Sequence, residues 1–209
     1  MGRLPGLAAL AALLFTWMQV RQANDELRIS QEGQITNRLN AAISNLGSQS
    51  LDIRMGGIYA LRRIMEGSPH DHPAVVSVLA AYAKQHAGSS AKSLQKEAED
   101  EQALKVDVHA AIGVLAKRRL DRDSGEADQL WLSNTDLRLL AFYETPISLP
   151  GVRMDGADLR STSFRGADLR GADLTRTNLT DADFRGANLA RVQLDGAQMT
   201  GAKGLPEES

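Results

Sequence analysis

A pair of histidines around a carboxylate is the first feature of this sequence that could do chemistry. His70 and His72 flank Asp71 and could present two imidazoles and a carboxylate to a metal ion. A zinc site needs further ligands at a recognisable spacing, and no third ligand follows at one. Pro69 and Pro73 instead favour a polar turn that leads into a helix. A metal-dependent enzyme that uses His70 and His72 is therefore kept only as an alternative, and we predict no metal site.

A column of regularly spaced carboxylates is the second candidate for chemistry. Asp158, Asp168, Asp173 and Asp183 are separated by multiples of five residues, and each precedes a large apolar residue. Such regularity indicates that these side chains bond to the local backbone at turns rather than act as a catalytic pair. The sequence also lacks a phosphate-binding glycine loop and a nucleophile elbow. We therefore predict no catalytic residues, no cofactor and no enzymatic activity.

A five-residue period governs the chain from position 152 onward. Its central position holds a large apolar residue in ten consecutive units: Met154, Leu159, Phe164, Leu169, Leu174, Leu179, Phe184, Leu189, Leu194 and Met199. A small or β-branched residue lies two positions before each centre, and glycine often lies two positions after it. Neither a helix nor a flat strand has this period, whereas a coil that turns a corner every five residues does. The ten central residues are therefore the predicted core of the coil.

These columns resemble the pentapeptide-repeat family, whose unit reads Ala-Asp/Asn-Leu-x-x. The pattern is plain in Ala157-Asp158-Leu159, Ala172-Asp173-Leu174 and Ala187-Asn188-Leu189. The resemblance implies a right-handed quadrilateral β-helix with four units per turn. Ten units give two and a half turns, about 12 Å of stacking at the spacing of adjacent strands.

The N-terminal segment predicts a membrane anchor. Residues 4–20 carry no charge, and Trp17 stands near one end, where interfacial aromatic residues are found. A signal peptide and a buried helix are the alternatives. Arg21, Arg28 and Arg38 outnumber the N-terminal Arg3, so the positive-inside rule predicts a single-pass protein with its C-terminal bulk in the cytoplasm.

The middle of the chain predicts short helices with apolar faces. The segments Gly33–Arg38 and Arg54–Leu61 resemble membrane-anchored pentapeptide-repeat proteins of actinomycete type. We predict a mixed fold, with a membrane helix, a small all-α segment and the β-helix. Its expected parts are a membrane anchor, a helical domain, a linker with the β-helix edge, the repeat β-helix and a tail, over residues 1–22, 23–119, 120–150, 151–203 and 204–209 respectively.

Charge patterning guides the functional hypotheses. The net charge of −2 offers no field for nucleic acid, so no direct nucleic-acid binding is expected. Four arginines follow a central residue and should point outward as a possible interaction surface: Arg160, Arg165, Arg170 and Arg185. The leading hypothesis is a membrane-tethered, non-enzymatic scaffold that displays a short β-helix to an unknown protein partner. The alternative is a soluble DNA mimic that binds a topoisomerase, but the eight basic and seven acidic residues of 151–203 do not make the required acidic surface.

Overall fold

The computed structural model describes most of the chain, in two compact units over residues 1–41 and 42–209. The backbone is described over residues 5–88, 101–123, 130–138, 140 and 147–205. Side chains are described over the same residues, apart from 5–13, 23, 25–32 and 101–105.

Helix α1 (Pro5–Leu46) forms nearly all of the first unit. Its apolar stretch from Pro5 to Val20 has 16 residues, which at 1.5 Å each reach about 24 Å, short of a bilayer core of about 30 Å. None of the described helices is long and apolar enough to span a membrane. The predicted N-terminal membrane helix is therefore wrong, because the helix runs on into polar residues from Arg21. The membrane and cytoplasmic locations stay predictions that no observation tests.

Three further helices pack together at the start of the second unit. They are α2 (Leu51–Gly67), α3 (His72–His86) and α4 (Glu101–Ala116), and a short 3₁₀ turn follows at Leu120–Arg122. Their buried stripes make a common core that includes Ile58, Leu61, Val75, Leu79, Ile112 and Leu115. The last turn of α1 lies so close to α2 that a Cβ at Gly57 would stand 2.8 Å from the carbonyl oxygen of Ala42. Glycine is therefore required at position 57.

The repeats form a coil with 20 residues in each turn. Isolated parallel bridges join residues 20 apart, as in Asp158 with Asn178 and Asp173 with Gln193. Four such columns exist, one for each side of the coil. Each holds single residues about 20 positions apart, and the first and last members of the columns are Trp131 and Gln193, Asp136 and Gln198, Ser148 and Asn188, and Ser163 and Lys203. Side chains at positions 20 apart therefore lie on the same side, one above the other.

The predicted β-helix is wrong in its secondary structure, since no β-strand occurs among the described residues. On each side only one residue pairs fully with the turn below. Asn178 donates its N–H to Ala157 O at 3.0 Å and accepts from the N–H of Leu159 at 2.8 Å. The chain then turns, because the carbonyl of each centre accepts a bond from the N–H three residues later, as Met154 O does from Ala157 at 2.9 Å. Each side is too short to form a continuous β-ladder with the next turn. The α-helices are therefore the long regular elements of the described chain.

Residues 130–138 lie beneath the first repeats and continue the coil toward the helices. Trp131 and Asp136 form bridges with Arg153 and Asp158, so the partners are 22 positions apart instead of 20. Two backbone bonds connect the helices to the coil. The N–H of Ser148 donates to Ala116 O at 3.0 Å, and the N–H of Asp136 donates to Gly88 O at 3.3 Å. The helical bundle therefore lies at the N-terminal end of the coil.

Candidate interaction surface

The interior of the coil is packed with the central residues of the repeats. Seven of the ten predicted core residues are at most 2% exposed, from Met154 to Phe184, and the rings of Phe164 and Phe184 stack with centroids 5.3 Å apart. Thr162 and Thr177 are also buried, and each hydroxyl donates to the carbonyl of the centre three residues earlier at 2.5 Å. The remaining three centres are Leu189, Leu194 and Met199, and they are partly exposed.

The outer surface carries ion pairs between an aspartate and the arginine two residues later. The guanidinium of Arg170 donates from Nε and Nη2 to the two carboxylate oxygens of Asp168, each at 2.8 Å. Arg160 with Asp158 and Arg185 with Asp183 have the same geometry, with distances from Nη2 to Oδ2 of 2.7 and 2.6 Å. In each pair the carboxylate also accepts the backbone N–H of its arginine. The regular spacing predicts only that the aspartates bond to the local backbone; the ion pairs are an addition from the structure, which the Asp-x-Arg spacing could have indicated.

The ion pairs perturb the titration of their members. The bond from Arg185 holds the pKa of Asp183 well below its usual range, and a second arginine, Arg165, adds to the effect. The bond from Arg170 lowers the pKa of Asp168 in the same way. The carboxylates raise the pKa of Arg160, Arg170 and Arg185 in turn. Each of these three arginines is therefore paired, in its charged form, with the carboxylate two residues before it.

Among the described residues, one side of the coil has more cations than carboxylates. Arg165 lies in the turn below Arg185, and its Nη1 reaches Asp183 Oδ2 at 3.1 Å, so Asp183 serves two arginines. Lys203 lies one turn above Asp183, and the backbones of the two residues form a parallel β-bridge. We call Arg165, Asp183, Arg185 and Lys203 the arginine side. Both arginine side chains are more than half exposed, at 56% and 54%.

The other two predicted surface arginines lie on different sides of the coil. Arg160 follows the column of Asp158 and Asn178, and Arg170 follows that of Asp168 and Asn188. Arg170 pairs with Asp168, whereas the partner of Arg160, Asp158, also lies 3.7 Å from Nε of Arg138. The structure therefore does not bring the four arginines together, and only Arg165 and Arg185 share a side.

An exposed tryptophan also lies on the coil and was not predicted as a surface feature. Trp131 is 47% exposed, and the guanidinium of Arg153 lies over its ring at 4.6 Å from the centroid. The bridge between the two residues sets this contact. No sequence signal linked them, because Trp131 stands before the first recognisable repeat.

The two candidate metal ligands are separated by burial. His72 is 1% exposed, and its Nε2 lies 3.0 Å from Asp123 Oδ1, while His70 is exposed. Asp123 also accepts from Arg118 at 2.9 Å. No group of three or more metal-binding side chains occurs within the described part of the chain. The arrangement connects the start of α3 to the segment after α4 and does not form a ligand set.

A buried polar cluster connects the three packed helices. Asp107 Oδ2 accepts from Arg54 Nε at 2.7 Å and from the Tyr82 hydroxyl at 2.6 Å. Burial and the bond to Asp107 raise the pKa of Tyr82 to about 12. Burial acts to raise the pKa of Asp107, but the bonds from Tyr82 and Arg54 outweigh it and leave that pKa lowered. Every strong donor in the cluster is satisfied, so its role is structural.

Comparison with known proteins supports the repeat pattern. Residues 148–176 and 167–203 match the sequence profile of the family described as Pentapeptide repeats, in eight copies. No curated protein matches the chain.

Three solved structures are similar to the repeat part. A pentapeptide repeat protein from the thylakoid lumen of Arabidopsis thaliana is 35% identical, over 38% of this chain and 53% of its own, with a TM-score of 0.34. The repeat protein Rfr23 from the cyanobacterium Cyanothece 51142 is 29% identical, over 36% and 50%, with a TM-score of 0.33. HetL from Nostoc, involved in heterocyst differentiation regulation, is 35% identical, over 35% and 33%, with a TM-score of 0.23. The matched region is thus at most 53% of each of these chains.

Proposed function

We propose that this chain, whose residues 148–203 match the family described as Pentapeptide repeats, is a non-enzymatic interaction protein whose coil presents its arginine side to an acidic segment of a protein partner. Pentapeptide-repeat proteins are in general non-catalytic repeat proteins. The coil suits such a role because its packed interior fixes the backbone positions from which the outward side chains project.

The observation that carries the proposal is the sharing of Asp183 by two arginines. Arg165 and Arg185 both contact this carboxylate, and Lys203 lies in the same column one turn above. A guanidinium forks onto a carboxylate with two parallel bonds, and Arg165 makes just one long bond to Asp183. Arg165 makes no other hydrogen bond within the described part of the chain, which leaves donors for a carboxylate from a partner. The ion pair with Asp183 holds Arg185 in place, which reduces the entropy lost on binding.

The alternative of a topoisomerase-binding DNA mimic finds no support on this surface. A DNA mimic needs rows of unpaired negative charge along the coil. Here Asp158, Asp168 and Asp183 each bond to an arginine at 2.8 Å or less. These pairs leave little net negative field on the sides that they occupy.

Site-specific photo-crosslinking tests which side of the coil meets the partner. A photoreactive residue at Ser163 lies on the arginine side, and one at Asn178 lies on a neighbouring side with similar partial exposure. We expect a crosslinked partner from position 163 that is absent from position 178. The signal at 163 should fall when salt is raised, because exposed ionic contacts are screened. Equal crosslinking from both positions, or a signal that salt does not change, would contradict the proposal.

A further inference from the structure

Five units of the described coil carry an arginine directly after the large apolar residue at their centre. In four of these units an aspartate lies directly before the centre and pairs with the arginine: Asp136 with Arg138, Asp158 with Arg160, Asp168 with Arg170, and Asp183 with Arg185. The fifth unit instead has Ser163 before its centre and Arg165 after it. Among the described residues, Arg165 is therefore the one arginine in this position whose own unit supplies no carboxylate.

The four pairs show which donors hold a carboxylate in this position. Each carboxylate accepts from the arginine Nε at 2.8 to 3.0 Å and from Nη2 at 2.6 to 2.8 Å. It also accepts from the backbone N–H of the same arginine at 3.1 to 3.3 Å. Within the described part of the chain, Arg165 makes one hydrogen bond, from Nη1 to Asp183 Oδ2 at 3.1 Å. The three donors that bind a carboxylate in the other units are therefore unpaired in Arg165.

The surroundings of Arg165 favour one more negative charge. Its side chain is 56% exposed, so a group from outside can reach it. The two arginines that share Asp183 outnumber it by one positive charge, which one added carboxylate neutralises. Carboxylates in successive turns of one column are also compatible with the coil, because Asp136 and Asp158 are stacked in this way and each bonds to its own arginine.

We propose that Arg165 forms a carboxylate-binding site, in which an aspartate or glutamate side chain of the partner takes the position that an internal aspartate holds in the other four units. The partner's carboxylate accepts from Nε, Nη2 and the backbone N–H of Arg165. A planar carboxylate fits the fork of a guanidinium with two parallel bonds. The inference rests on the proposed function, and it names the contact by which the arginine side holds the acidic segment.

Nuclear magnetic resonance of the full-length, ¹⁵N-labelled chain tests the site, because the Nε–H groups of the arginines give separate signals. The probe is a blocked peptide of three glutamates at low ionic strength, where exposed charges are weakly screened. We expect a saturable shift of the Nε–H and backbone N–H signals of Arg165, and a much smaller shift at Arg170, whose fork is filled by Asp168. A blocked peptide of three glutamines should shift neither. No shift at Arg165, or equal shifts at both arginines, would overturn the inference.

Ser163→Asp supplies the carboxylate from within the unit and should close the site. The introduced carboxyl should titrate below the usual aspartate pKa of about 3.9, as Asp168 does. The Kd of the glutamate peptide, measured at Arg165, should rise at least about tenfold at pH 7. The matched control Asn178→Asp adds the same charge on another side, where Thr180 takes the place of the arginine, and should change this Kd by less than about twofold. An ordinary pKa for the introduced carboxyl, or equal effects of the two substitutions, would contradict the site, and circular dichroism checks that both variants are folded.

Binding of the partner separates this inference from the proposed function. The photoreactive residue at position 163 carries no carboxylate, so the donors of Arg165 stay unpaired in that chain. A partner that is captured from position 163 but binds the wild-type and Ser163→Asp chains equally overturns this inference and leaves the proposed function in place. A glutamate peptide that binds at Arg165 as expected, with no partner captured from position 163, supports the site and contradicts the proposed function.

Discussion

The stacking of Leu174 beneath Leu194 allows the packing of the coil to be tested with one pair of substitutions. The two leucines are 20 residues apart in the same interior column, and Leu174 is fully buried while Leu194 is partly exposed. Leu174→Ala removes three buried carbons, about 2.4 kcal/mol of transfer free energy at 0.8 kcal/mol each. A closed cavity between two turns raises the expected loss of unfolding free energy to about 3–4 kcal/mol. Leu194→Ala opens no closed cavity and removes less buried surface, so we expect about 1–1.5 kcal/mol.

Urea denaturation followed by tryptophan fluorescence measures this difference. The sequence has two tryptophans, so a Trp17→Phe background leaves Trp131 as a reporter in the coil. Measurements at two protein concentrations separate monomer stability from any contribution of association. Equal losses for the two variants, or a larger loss at Leu194, would refute the assignment of a closed interior at Leu174 and an open end at Leu194.

Three further outcomes follow from individual contacts. Absorbance titration should show that one of the three tyrosines, Tyr82, ionises near pH 12. Because its folded-state pKa is raised, its contribution to the free energy of unfolding is full below about pH 10 and is lost as pH rises toward 12. Asp107→Asn should cost about 2–4 kcal/mol in chemical denaturation, since it leaves Arg54 without its carboxylate, and a cost below about 0.5 kcal/mol would contradict the role of the cluster. Asp107 itself has a lowered pKa, so its contribution is present above about pH 4 and is lost as pH falls further. Arg176 has a φ of 57°, so Arg176→Gly should raise the thermal midpoint or leave it unchanged. Gly171 has a φ of 68°, and Gly171→Ala should lower the midpoint through about 1 kcal/mol of backbone strain. Strain is the only cost expected there, because a Cβ at position 171 meets no other atom.

The five-residue period was enough to predict which residues enter the coil, but not how the backbone pairs. A repeated large residue identifies the inward position whatever the hydrogen bonding, and Leu159 and Leu174 are both fully buried. The absence of strands depends on where each turn closes, and that is set by backbone bonds such as Ala157 to Met154. Leu194 is partly exposed because no turn within residues 147–205 covers it, which one repeat unit taken alone does not reveal.

Contacts across long stretches of sequence could not be predicted. Arg54 and Asp107 are 53 residues apart and meet only because α2 and α4 pack together. His72 similarly contacts Asp123 across 51 residues, and nothing in its sequence neighbourhood indicates this buried contact. The Asp-x-Arg pairs are different, because both members lie within three residues and their spacing was readable. The predicted membrane helix is wrong because the apolar stretch of α1 is slightly shorter than a membrane span, and α1 then continues as a polar segment.

The most direct test of the interaction proposal compares two sides of the coil in one binding titration. The purified partner identified by crosslinking from position 163 is titrated against the wild-type chain, Arg165→Gln/Arg185→Gln and Arg170→Gln. The account predicts at least about a tenfold loss of affinity for the double variant. Arg170→Gln breaks an equally exposed ion pair on another side and should change affinity by less than about twofold. Equal affinities for all three chains would contradict the claim that the arginine side binds the partner.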